Sequence, residues 1–155
     1  MRLFASLLLC VPLLAGAAPA DQVVHIASAD AEMNAAIKHA QDTLDSFLKI
    51  VAAPPKGASH FKLKVRFSDD NGIEHMWVRR FTQTGDKFVG ELNDDPEVVR
   101  NVSNGQTLTF KRADISDWGY AQDGKQKGSF TVCVMFKHMP VEEAKRYRQA
   151  YGFEC

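Results

Sequence analysis

The segment Phe61-Lys62-Leu63-Lys64-Val65-Arg66-Phe67 alternates apolar and basic residues without a break. Successive side chains of a strand point to opposite faces, so Phe61, Leu63, Val65 and Phe67 share one face and Lys62, Lys64 and Arg66 the other. Such a strand demands a sheet with one face buried, because a one-residue slip would expose every apolar group at once. A cover for that face lies just upstream. Met33, Ile37, Ala40, Leu44, Phe47, Leu48 and Val51 recur at helical spacing, with Lys38, Gln41, Asp42, Asp45 and Lys49 off the stripe. Ser28 or Asp30 suits the N-cap, and Pro54-Pro55 ends the helix, since proline has no N–H to donate and disfavours helix in the residue before it. The stripe is expected to cover the protein's own sheet; docking on a partner is the alternative.

Short strands fill most of the remainder. Asp69-Asp70-Asn71-Gly72 is a hairpin turn; it has the opening of a calcium loop but lacks the later ligands and the closing Glu. A second strand is expected over Glu74 to Phe81 and a third over Lys87 to Asn93, with Thr84-Gly85-Asp86 turning between them. Asp94-Asp95-Pro96 opens a surface loop with a helical turn through Arg100. Gln106 to Lys111 reads as another strand, after the turn Ser103-Asn104-Gly105. Beyond Asp114 to Tyr120 and the turn Asp123-Gly124, Gly128 to Phe136 alternates Phe130, Val132, Val134 and Phe136 against Thr131, Cys133 and Met135, and is expected to be the last strand. A short closing helix carries Pro140, Glu142 and Glu143 at its start, Lys145, Arg146 and Arg148 toward its end, and Gly152 as C-cap. The expected class is α+β: an N-terminal helix packed on a curled, mostly antiparallel sheet of five or six strands, with a short C-terminal helix.

The start of the chain has a different character. Arg2 precedes the apolar run Leu3 to Leu14, too short to span ~30 Å of hydrocarbon, and Ala18-Pro19-Ala20 has the small-x-small form of a signal-peptidase site. Residues 1–20 are therefore expected to be a cleaved signal peptide and residues 21–155 a single periplasmic domain; a retained anchor or a lipoprotein on Cys10 are the competing readings. After cleavage the chain would not be an integral membrane protein. Two cysteines would remain, Cys133 and Cys155, in a compartment that permits disulfides, and they are expected to pair. The whole chain balances 19 Lys+Arg against 19 Asp+Glu, which argues against a nucleic-acid partner.

No zinc-protease, P-loop, dinucleotide or serine-hydrolase motif is present, and His25, His39, His60, His75 and His138 have no second ligand at metal spacing. No cofactor is implied. Three constellations stand out. In Glu74-His75-Met76-Trp77, His75 and Trp77 share a strand face, and an exposed Trp beside a titratable His suits ligand binding or acid/base work; the plainer reading has Trp77 under a loop and His75 as polar surface. Arg112, Asp114, Ser116, Asp117 and Trp118 offer either turn caps or a polar pocket with Asp117 paired to Arg112. The row Lys62, Lys64 and Arg66 would meet an anionic envelope component, or else be solvated or covered by aliphatic packing. If the first two share a site, Trp77 and Trp118 should flank one concave surface with His75 and Asp117 nearby.

Taken in order, Ala31-Glu32-Met33-Asn34-Ala35-Ala36-Ile37, Glu74-His75-Met76-Trp77-Val78, Val99-Arg100-Asn101-Val102, Gly105-Gln106 and Asp114-Ile115-Ser116-Asp117-Trp118 resemble the YegJ-like family of small bacterial proteins, a domain of unknown function. The resemblance covers Ala31 to Phe136 and implies no activity, cofactor or catalytic residue. The residues favour a small periplasmic binding or interaction module, inhibitor-like in its narrower form, with His75, Trp77, Arg112, Asp114, Asp117 and Trp118 as its surface and an envelope protein or anionic component as its partner. An enzyme using His75 or Asp117 as acid/base, and a structural envelope protein, are the alternatives.

Overall fold

The computed structural model describes residues 30–155; the expected signal peptide, and Ser28 as a helix cap, lie outside the described residues. Helix α1 spans Ala31–Ala52, capped by Asp30, whose side chain accepts the Met33 N–H at 2.7 Å. Six strands follow: β1 Ala58–Asp69, β2 Gly72–Thr84, β3 Lys87–Leu92, β4 Thr107–Lys111, β5 Ile115–Gln122 and β6 Lys125–Gly128. Helices α2, Phe130–His138, and α3, Val141–Tyr151, close the chain. The sheet is antiparallel and open, in the order β4-β3-β2-β1-β5-β6.

Strand β1 is central, and its alternation sets the two faces. Leu63 pairs with Val78 on one side and Trp118 on the other; Lys64 pairs with Trp77 and Asp117. Paired residues share a face, so the core face collects Leu63, Val65, Val78 and Trp118 under α1. Phe47 of α1 is wholly buried there and stacks on Trp118 with centroids 4.9 Å apart, with Phe61, Phe81 and Tyr120 around it. Shifts of register beside His60 in β1 and Arg80 in β2, both at positive φ, mark bulges that bend these long strands.

The segment expected as the last strand is instead α2. Its alternation is real, but three features override it. Gly128 and Ser129 both take left-handed conformations, φ 71° and 56°, which stop β6 and turn the chain. A Cβ at Gly128 would run into the Trp118 carbonyl, so only glycine fits there. The Asp117 carboxylate then takes the N–H groups of Phe130 and Thr131, which no preceding helical turn can satisfy. Conversely Ile115–Gln122, which carries little alternation, is a strand buried along almost its whole length. Helix α2 packs beside α1, with His39 edge-on to Phe130 at 4.5 Å and Lys137 bonded to Glu32 at 2.6 Å. Cys133 on α2 is joined to Cys155, with Cα atoms 5.4 Å apart. Among the described residues, no helix is long and apolar enough to cross a membrane.

Candidate functional site

The face of the sheet opposite α1 carries a groove of about 620 Å³. Its floor is Lys64, His75 and Trp77; one wall is the segment from Asn93 to Asn104 and the other the Met- and aromatic-bearing side of α2 with Tyr147 and Phe153. The acidic wall is pinned by carboxylates that accept backbone N–H groups. Glu74 accepts from Glu97, Val98 and Val99, Asp69 accepts from Arg100 at 2.6 Å, and Asp94 accepts from Trp77 at 2.7 Å. The helical turn expected here through Arg100 does not form; the irregular loop is held instead by these bonds against β1 and β2.

Beneath the groove lies a buried polar chain. Asp117 is wholly buried and accepts four hydrogen bonds: Trp118 N–H and Phe130 N–H on Oδ1, Thr131 N–H and Thr131 Oγ1–H on Oδ2. Lys64 donates to Thr131 Oγ1 at 3.2 Å, so one hydroxyl links the ammonium to the carboxylate. Burial pushes the Asp117 carboxyl upward and the Lys64 ammonium downward, and each charge opposes the shift of the other. The four donors decide the state of Asp117, since a protonated carboxyl would present a hydrogen to one of them.

The basic row is not a free face. Lys62 lies over the Trp77 ring at 4.4 Å and 6.0 Å from the Phe153 centroid, Lys64 is buried at 5.5 Å from Trp77, and only Arg66 is exposed. His75 bonds through Nδ1 to Ser116 Oγ at 2.8 Å. It keeps an exposed edge, but loss of water around the ring, then Lys64 and Arg66, lowers its pKa to about 4, so the ring is neutral at neutral pH. Burial also raises Asp94, against the opposing Trp77 N–H bond and the charges of Lys64 and Lys62.

Of the residues expected to form one surface, the structure brings His75, Trp77 and Asp117 to the same face. Trp118 is on the other. It is 8% exposed, donates from Nε1 to the Ala40 carbonyl at 3.1 Å, and belongs to the core under α1. A Trp77–Trp118 cleft does not exist, because adjacent strand positions point oppositely and Asp117 and Trp118 are adjacent. Arg112 pairs with Asp45 of α1 at 2.8 Å rather than with Asp117, and Asp114 accepts the Lys111 N–H in a 3₁₀ turn. Neither lines the groove. Asp94, Met135, Met139 and Phe153 do, and sequence reasoning missed them. Met135 lies on α2 and Met139 caps its end; the helical direction of Met135 was hidden by reading Gly128 to Phe136 as a strand. Among the described residues no cluster of three His, Cys, Asp or Glu side chains is placed to hold a metal.

Residues 30–155 match the family described as "Uncharacterized protein conserved in bacteria (DUF2314)". The chain belongs to the DUF2314 family. The uncharacterized protein YegJ of Escherichia coli (strain K12) is 35% identical over 116 residues, covering 75% of this chain and 74% of that protein. A putative ankyrin repeat protein of Neisseria meningitidis serogroup B is 29% identical over 143 residues, 86% of this chain; the match spans only 56% of that protein. No solved structure matches the chain. The DUF2314 assignment covers every element that builds the groove, from α1 to the tail that carries Phe153.

Proposed function

We propose that the protein is a small binding module of the bacterial cell envelope, exported to the periplasm, and that the groove over Trp77 is its binding site. The carrying observation is the groove itself: about 620 Å³, concave, with an apolar wall facing a charged one, within the size range of ligand sites. Asp117 offers no support for catalysis, because its oxygens are filled by protein donors. His75 then stands without a carboxylate partner, bonded to Ser116. The tie between Cys133 and Cys155 favours an oxidising compartment.

The test is affinity capture from envelope extract with two baits, the wild type and Met135→Arg, which fills the groove. A component retained by the wild type and released by a Met135→Arg variant of unchanged melting temperature is expected. Identical retained sets would remove the groove as the site.

A further inference from the structure

The two walls of the groove differ in a way that narrows what fits between them. The charged groups around it are four carboxylates, Glu74, Asp94, Asp95 and Glu97, against the Lys64 ammonium in the floor and the Lys62 ammonium over Trp77, with Arg66 near a neutral His75. Lys64 is already engaged through Thr131 with Asp117 below the floor, and its charge is countered there. Lys62 and Arg66 offset part of the acidic wall, but four carboxylates outnumber them, so the net charge facing a ligand is negative, which disfavours phosphate-bearing surfaces and favours a cation.

The opposite wall asks for apolar groups. Met135 lies on α2 and Met139 just past its end, as the extended C-cap residue, with Val132 and Phe136 beside them. Methionine is unbranched and polarizable, so such a wall adapts to apolar side chains of different shape. From Val132 to its end at His138 the helix runs about 9 Å, the length of about three residues of extended chain. An isolated amine would use the acidic wall and leave this one in water.

We propose that the groove receives a basic, apolar-anchored peptide segment of a protein partner, an inference that rests on the groove being the binding site. The Lys or Arg side chains of the segment lie along Asp94, Asp95 and Glu97, and its apolar side chains lie between Trp77 and the methionine pair.

The experiment follows the methionine methyl signals of the intact, oxidised protein by NMR, with Met135 and Met139 assigned through their Leu variants. Three short acetylated and amidated peptides serve as probes: one alternating Lys and Leu, one with Glu in place of each Lys, and one with Ser in place of each Leu. The Lys–Leu peptide is expected to shift both methyls. Its affinity is expected to drop about tenfold in an Asp94→Asn/Asp95→Asn/Glu97→Gln variant that melts as the wild type does, and to weaken as salt is raised. The Glu–Leu peptide binding as well as the Lys–Leu peptide overturns the proposal, as does the Lys–Ser peptide doing so. Methyls that none of the three peptides shifts overturn it too. Capture that still depends on Met135 would then show that the groove binds and that only the ligand class is wrong.

Discussion

Asp117 commits its whole acceptor capacity to the protein. Two of its four donors are the first N–H groups of α2, and a third is the hydroxyl through which Lys64 is held. Replacing one carboxylate oxygen by an amide sets an N–H₂ group against donors and leaves Lys64 without its counter-charge. Asp117→Asn is therefore expected to cost about 3 kcal/mol or more, the scale of a broken buried pair. Lys64→Met removes the ammonium but leaves all four bonds to Asp117 in place, so it should cost less. The double variant should cost less than the sum of the two, because the groups are coupled. Urea denaturation of the three variants measures this. A larger loss in Lys64→Met than in Asp117→Asn would show that the ammonium, and not the anchoring of α2, dominates.

The change of direction from β6 into α2 rests on Ser129. It sits at φ 56° with no side-chain cap bond, wholly buried, and its Oγ has no hydrogen-bond partner. A left-handed conformation costs a non-glycine residue about 1–2 kcal/mol, and an unpaired buried hydroxyl adds to that. Glycine removes both costs, at the expense of about 0.5–1 kcal/mol of chain entropy. Ser129→Gly is expected to stabilise the protein by on the order of 1 kcal/mol, and Ser129→Ala, which keeps the strained backbone, by less. Thermal melts of the two variants decide it; destabilisation by Ser129→Gly would mean that the hydroxyl does something the native contacts do not display. The same element explains why the periodicity of Phe130 to Phe136 misleads. Alternating β-formers describe a local preference, whereas the helix is nucleated by a carboxylate from β5 and ended near α1.

At the scale of the whole molecule, the C-terminal tail couples α2, β6 and the groove. Cys155 ties it to α2, Glu154 bonds to Lys125 at 2.6 Å, and the Gly152 carbonyl accepts the Gln126 N–H at 2.9 Å, leaving Phe153 against Phe136 and the groove. Closing a loop across 22 positions typically contributes about 3 kcal/mol, so reduction is expected to lower the melting temperature by about 10 °C. Calorimetry with and without reductant, with alkylation to confirm the thiol count, measures it. An unchanged melting temperature after full reduction would leave the Cys133–Cys155 connectivity right and remove its stabilising role.

Local pattern along the chain was enough to read the elements that it governs. The stripe from Met33 to Val51 and the alternation of Phe61 to Phe67 defined α1, β1, the core face between them and the α+β class, because each pattern has one burial solution. Asp30, the turn at Gly72 and the cap at Gly152 were equally readable from side-chain chemistry. The sequence also brought Cys133 and Cys155 forward as a pair. Which side of the sheet each functional candidate occupies emerged from long-range packing. Asp117 and Trp118, neighbours in sequence, went to opposite faces, and Arg112 went to α1. The groove depends on contacts between residues as distant as Glu74 and Val98, or Lys64 and Thr131. Such contacts leave no periodic trace, because a hydrogen bond across the fold constrains the partners' positions in space and not their spacing along the chain.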